Sequence, residues 1–417
     1  MRLCNRFILI LGLCMLNLCK ISAQEMVSDS LRAPKDSLRA SLITCTPGTD
    51  VYAHFGHTAI RLVNFTNGMD IVFNYGCFDS FGSNFVMKFI KGETDYIVDA
   101  EDGSYFFGRY HKMGNGAVEQ VLNLTQDECT KLAELLFENI KPENRGYRYN
   151  WLYDNCTTRA RDMIEKAIKG KVVYEKETAP LTARDELHEC LANNSWLELG
   201  IDLLLGTEID SIAPRKIQQF IPAHYKSDLD AAYIIDNDGS RRSMLAETME
   251  VLDEDPRNQT GDTWITPNVV FSIIFLAVIL SVTDWREKRR AIQYRRNAKT
   301  NIWFDIILHT VQGIAGIIIG YLFFFSEHPA VDSNWQVIIF NPLYILYAIY
   351  LGYCKSTNSR NRLAYVNLAV IIAFLIVVTL TKQDINTAVY IFTLTLAIRA
   401  CSNLKQTIEI RNRKVND

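Results

Sequence analysis

The spacing of apolar and polar positions changes character near residue 265. After it, apolar residues form long runs at 266–284, 302–325, 336–353, 363–381 and 385–401. Each is near the ~20 residues that a spanning helix needs to cross a ~30 Å hydrocarbon core. Before it, the pattern is that of a charged globular segment with short strands and amphipathic helices. Ser41–Cys45, His57–Asn64 and Asp70–Tyr75 read as strands, and Asn67-Gly68 supplies a hairpin turn between the last two. Further strands are expected at Asp95–Ala100 and Ala117–Leu124. A helix follows over Gln126–Ile140 with Thr125 as N-cap, and a second opens at Asn155-Cys156 and ends on Gly170. Helices are also expected at Thr182–Ala192 and Ser195–Leu205. Gly206 to Asp262 is polar and poorly periodic, and reads as loops and a linker.

The amino terminus adds an address. Arg2 and Arg6 precede an apolar stretch from Phe7 to Leu18 that ends at the small pair Ser22-Ala23, the pattern of a cleavable signal peptide over 1–23. That leaves an outer segment at 24–265, a bundle of about five transmembrane helices at 266–401 and a tail at 402–417. Charge sets the orientation. The loop 285–301 holds seven Lys/Arg, the segment 354–362 three and the tail four, whereas the loops 327–335 and 382–384 share one Lys. Positive loops face the cytoplasm, so the outer segment lies in the periplasm of a bacterial inner-membrane protein, in agreement with the leader. A net charge of −3 averages over these unlike regions and points to no partner, and nucleic acid is not expected.

Five of the ten cysteines, Cys45, Cys77, Cys129, Cys156 and Cys190, fall in the outer segment. An odd number in an oxidising compartment leaves at least one thiol unpaired within the chain. Cys156 is the candidate, because a helix start lowers a thiol's pKa through its free N–H groups and dipole. The plainer reading is a small buried residue or half of a disulfide. His57 begins a strand that can lie beside this helix, which would make a nucleophile and its base. Asn74, on the next hairpin strand, is the candidate third residue, with Asp79 and Tyr52 as alternatives. A His54/His57 metal pair lacks further ligands nearby, and neither metal nor cofactor is expected.

Arg159 and Arg61 are each read either as a contact for a lipid phosphate or as ordinary packing. Asn155 caps its helix or serves the substrate, and Tyr147, Tyr149, Trp151 and Tyr153 either line an acyl groove or simply pack. In the membrane part, Asp305 and His309 lie one turn apart; ionisable groups at such depth suggest a function, but Asp305 stands near the cytoplasmic end of its span and is read rather as snorkelling. Asn341-Pro342 is expected to break its helix.

The order His57-Thr58-Ala59-Ile60, a polar residue on the next strand, then Asn155-Cys156 resembles the permuted papain-like (NlpC-type) fold, as in lecithin:retinol acyltransferase. Over nearly its whole length the chain is similar to the Lnb lipoprotein N-acyltransferases of Bacteroidota. That resemblance is carried by Phe55-Gly56-His57-Thr58 with Arg61, Phe73-Asn74-Tyr75-Gly76, Tyr149 through Arg159, Phe220-Ile221-Pro222, Ser326-Glu327-His328-Pro329, Asn334-Trp335 and Asn341-Pro342-Leu343. It implies an α+β permuted papain-like periplasmic domain followed by an all-α transmembrane bundle. It also implies Cys156 as nucleophile, His57 as base and Asn74 as third residue, with Arg159, Asn155 and Tyr149 at the substrate. The implied reaction moves an acyl chain from a membrane phospholipid to the α-amine of a lipoprotein. A membrane-anchored cysteine amidase or peptidase acting on cell-wall peptides is the competing reading.

Overall fold

The computed structural model describes residues 38–50, 53–77, 85–175, 180–258, 261, 263–282, 291–357 and 361–416. The leader and two of the alternatives for the third residue, Tyr52 and Asp79, lie outside them. The chain forms two compact units that do not follow chain order. One comprises 1–82, 95–178 and 219–259, and the other 83–94, 179–218 and 260–417.

The first unit is α+β. Its sheet contains β1 (Leu38–Cys45), β2 (His57–Asn64), β3 (Met69–Cys77), β4 (Asp95–Asp102), β5 (Ala117–Leu122), β6 (Gly146–Arg148) and β10 (Leu245–Leu252), in the antiparallel order β10-β5-β1-β2-β3-β4-β6. Alternation along the inner strands sorts side chains onto two faces. Leu42, Ile60, Leu62, Phe73 and Tyr75 face a core built with α3 (Gln126–Asn139) and α4 (Cys156–Ala167). Ile43, Cys45, Ala59 and Val72 face the other way, against Phe106 and Tyr110 of α2 (Gly103–Met113). The central strands are therefore covered on both sides, and each carries apolar residues on both faces.

Two features differ from expectation. Helix α2 was not anticipated in GSYFFGRYHKM; it is capped by Asp102, whose carboxylate accepts from Ser104 N and Tyr105 N, and it ends on left-handed Gly114. The stretch read as linker instead holds α7 (Arg215–Gln218), α8 (Pro222–Asp230), β8 (Ala232–Ile235), β9 (Arg241–Ser243) and β10. β10 pairs with β5 at the edge of the main sheet, with register shifts beside Leu245 and Leu252. β8 and β9 join β7 (Lys171–Tyr174) in a second, small sheet. Arg242 of β9 reaches the fully buried Glu128, which also receives Lys169 N. A buried carboxylate needs such partners, and losing one of them costs roughly 3–5 kcal/mol.

The second unit is helical. It gathers α1 (Phe85–Lys91), α5 (Ala183–Leu191), α6 (Ser195–Leu204), α7, α9 (Pro267–Val282), α10 (Ala291–Phe325), α11 (Leu343–Ser356), α12 (Ala364–Thr381) and α13 (Thr387–Asn416). Three stretches, 302–325, 364–381 and 387–404, are long and apolar enough to cross a membrane, and α9 is a shorter apolar helix. Arg184 is buried among Asp202, Asp210 and the carbonyls of Leu205 and Gly206, while Asn386 and Gln383 reach Asp202 and Leu205 from the bundle side. These bonds join 179–218 to the helices that follow it.

Asn341-Pro342 does not interrupt a helix. Pro342 stands at the start of α11, where its missing N–H leaves no intrahelical bond unmade. Gly316 of α10 lies so close to this turn that a Cβ would meet Asn341 backbone at 2.4 Å, a small-residue crossing of the kind apolar bundles favour. Asp305 does not snorkel: Arg399 bonds it at 2.6 and 2.8 Å and Asn403 at 3.0 Å, all buried. His309 bonds Gln312 through Nδ1 and stacks on Tyr344.

Candidate active site

The site forms where the end of β2 meets the start of α4. Gly56 delivers His57 to that position. Its φ is +75° and a Cβ would lie 2.7 Å from the carbonyl oxygen of Cys45, so a side chain is excluded twice over, by conformation and by space. Asn155 caps α4. Its Oδ1 accepts from Thr157 N at 2.9 Å and Thr158 N at 3.0 Å, and the Thr158 hydroxyl accepts from Asn155 N. The Nδ2 group donates to the carbonyls of Trp151 and Phe220. Every polar atom of the Asn155 side chain thus has a structural partner, which satisfies the capping reading and leaves none for a substrate. A Thr58–Thr157 hydroxyl contact of 3.1 Å ties strand to helix beside the reactive pair.

Cys156 is the first helical residue and is buried, its sulfur 3.8 Å from the Thr157 hydroxyl and beside the His57 imidazole. Burial pushes this thiol up. The charge and hydrogen bond of His57, helped by Thr58 N–H and the Thr157 hydroxyl, outweigh it, and the pKa lies below the ordinary thiol value. Burial likewise presses the His57 imidazole toward its neutral form, but the Cys156 thiolate and Asn74 raise it above the usual histidine value against the opposing charge of Arg109. The two shifts run in opposite directions and both favour a thiolate–imidazolium pair. His57 Nε2 donates to Asn74 Oδ1 at 2.5 Å, which leaves Nδ1 for the sulfur. Asn74 pairs with Ala59 in the sheet, and the period of two puts it on the same face as His57.

The other sequence candidates have different fates. Arg159 is held by Asp154 at 2.6 and 2.7 Å and lies flat over Tyr147 at 3.6 Å. Arg61 is fixed by Asp70 and Glu119 beneath Phe107, a packing role. Tyr149 stacks on Tyr96 with ring centroids 4.4 Å apart and stands close enough to Cys156 for the thiolate to raise its phenol pKa, after burial. Trp151 packs on Phe220, and Tyr153 is exposed. His54 bonds the Asp50 carbonyl through Nδ1, whereas His57 bonds Asn74 through Nε2. Among the described residues, His188, Glu198 and Asp202 cluster closely enough to hold a metal. Asp202 already receives Arg184, His188 and Asn386, and Asn386 also reaches Glu198. The described cysteines are all free.

Residues not foreseen from the sequence complete the surroundings. Tyr110 stacks on His57, with centroids 6.3 Å apart and planes at 14°. Asn74 Nδ2 donates to Glu101 Oε1 at 2.6 Å, and Arg109 donates to the same oxygen at 2.5 Å. The alternation of Asp99 and Glu101 along β4 was the available signal. It cannot be read without the register that pairs Val72 with Glu101.

Comparison with known proteins agrees with this architecture. No curated protein and no solved structure matches the chain. The family model of the Lnb N-terminal periplasmic domain matches residues 30–189, and that of the Lnb transmembrane domain matches residues 258–411. With the α+β unit, the helical region and both family domains in their expected order, the chain belongs to the Lnb family.

Proposed function

We propose that this protein is a lipoprotein N-acyltransferase of the bacterial inner membrane, acting through a Cys156 thioester on the periplasmic side. The observation that carries the reading is the buried Cys156 at a helix start beside His57, whose ring is bonded to Asn74, in a member of the Lnb family. Its order along the chain, strand-borne histidine before helix-borne cysteine, also fits a permuted papain-like arrangement.

In the first half-reaction the Cys156 thiolate attacks an ester carbonyl of a glycerophospholipid. The carbonyl oxygen gains charge beside the N–H groups that open α4. Collapse of the tetrahedral species breaks the ester C–O bond, the His57 imidazolium gives its proton to the departing lysophospholipid oxygen, and a thioester remains. In the second half-reaction the α-amine of a diacylglyceryl-cysteine lipoprotein attacks the thioester. The now neutral His57 takes its proton, the C–S bond breaks and the thiolate–imidazolium pair returns. Asn74 keeps a hydrogen on Nε2 throughout, so Nδ1 handles the moving proton. Both substrates are confined to a bilayer, and anchoring the enzyme there raises their effective concentration.

The test is a labelled intermediate. Purified full-length protein in phospholipid vesicles should acquire one acyl group on Cys156, removable by neutral hydroxylamine. A diacylated lipopeptide with a free α-amine should discharge it and gain one acyl mass, while the N-acetylated peptide should not. An absent adduct together with Cys156-dependent cutting of wall-derived peptides would replace this reading with the peptidase.

A further inference from the structure

We propose that Glu101 is a positioning residue that sets which way the Asn74 amide faces and, through it, which nitrogen of His57 is available to Cys156. The inference deepens the Cys156–His57 reading above and rests on it.

An amide side chain is two-ended, one end accepting and the other donating, and a histidine reads whichever end it meets. Asn74 is buried, with Oδ1 on His57 Nε2 and Nδ2 on Glu101 Oε1. Reversed, the amide would present N–H to Nε2 and its oxygen to a carboxylate. The first contact would demand an unprotonated Nε2, putting the ring hydrogen on Nδ1, opposite the sulfur. Such a ring cannot take the thiol's proton while keeping its bond to Asn74. The second contact would set two acceptors against each other in a poorly solvated place. An ionised carboxylate accepts and never donates, so Glu101 admits only the observed orientation.

The sheet explains how a residue 27 positions away does this. β3 and β4 pair with Val72 opposite Glu101 and Asn74 opposite Asp99, so Glu101 sits diagonally across from Asn74 on the face that α2 covers. α2 contributes Arg109, half-buried over the Tyr110 ring, which bonds the same carboxylate oxygen and holds it in place. The other titratable groups around the pair are Cys45 on β1, Cys77 on β3, Tyr110 on α2 and Tyr149 ahead of α4; charge comes from Arg109 and Glu101, from Asp99 opposite Asn74, and from Asp154 near Tyr149.

Two mechanisms are separable. If Glu101 orients the amide, a neutral acceptor suffices and Glu101→Gln retains function. If its charge acts through space on the imidazolium, Glu101→Gln and the near-isosteric Glu101→Met fail alike. The readout is the pH dependence of Cys156 modification by methyl methanethiosulfonate in the full-length protein, followed by mass spectrometry of the Cys156 peptide. It reports the thiolate directly and requires no acyl transfer. Glu101→Met should raise the midpoint by at least about one pH unit, slowing modification about tenfold below it, because a one-unit pKa shift changes the thiolate fraction tenfold there. Glu101→Gln should stay within about 0.3 unit of the parent on that scale. In an Asn74→Ala background, Glu101→Met should add nothing.

The proposal is overturned if Glu101→Gln matches Glu101→Met, if Glu101→Met leaves the midpoint unmoved, or if its shift persists without Asn74. Should Glu101→Met fail to fold, Glu101→Ala supplies the same comparison, since water can fill the gap it leaves. A parent chain whose Cys156 midpoint sits at the ordinary thiol value would instead strike down the underlying Cys–His reading.

Discussion

Replacing His57 by Ala removes the only group that outweighs the burial of the Cys156 thiol, and its size can be worked from a neighbour. Cys77 lies on the adjoining strand with no imidazole beside it; burial, followed by the charges of Asp99 and Glu101, pushes it up to about 12. Cys45, more deeply buried, goes higher still. If Cys156 without His57 behaves like Cys77, its pKa rises from below an ordinary ~8.5 to about 12, and the thiolate fraction at neutral pH falls by at least ~10³. A more basic thiolate is a better nucleophile, and a Brønsted coefficient of ~0.4–0.5 returns about 1.5 powers of ten. The net expectation is a second-order rate of Cys156 modification by methyl methanethiosulfonate at least ~10²-fold lower at pH 7. The assay is quenched-flow labelling with quantification of the Cys156 peptide, so that the other thiols do not interfere. The sign of the pH dependence is also set. The parent rate should persist well below the ordinary thiol pKa and decline only as pH falls through the lowered Cys156 value, whereas His57→Ala should still be rising at pH 9. A loss smaller than about tenfold, or an unmoved pH profile, would refute a thiolate held by His57.

Two further outcomes concern the helical region. Gly316→Ala sets a Cβ against Asn341 backbone, which cannot move aside as a side chain could, and thermal unfolding in detergent should drop by an amount corresponding to about 1–3 kcal/mol; an unchanged transition would mean the helices are not that close. The charge asymmetry predicts that a topology reporter after Asn297 reads cytoplasm and one within Asp332–Asn334 reads periplasm, and the opposite pair of signals would invert the orientation.

Much of this protein was legible along the chain, because some signals are local. Apolar runs mark membrane helices since the bilayer imposes a length, and α10, α12 and α13 carry the apolar stretches expected at 302–325, 363–381 and 385–401. Alternation marked the β2–β3 hairpin, and the Thr125 and Asn155 caps announced α3 and α4, because a cap satisfies its own helix within three residues. Those elements carry His57, Asn74 and Cys156, so the candidate residues were nameable before any fold was known.

What the tertiary structure alone decided are the contacts between residues distant in sequence. β10 looked like linker because Glu247, Thr248 and Glu250 break up its apolar residues, and its hydrogen bonds are completed only by β5. The partners of Arg61, Asp70 of β3 and Glu119 of β5, come to it only through the sheet. The orientation of Asn74 is the sharpest case. An amide's two ends are nearly identical in shape, so its direction is set by whatever lies beyond it, here Glu101 of β4 and Arg109 of α2, brought to the histidine by strand register and helix packing. Residue type and local pattern determined which groups are available for chemistry; the long-range pairing of donors with acceptors determined which way each group faces and which protonation state its surroundings favour.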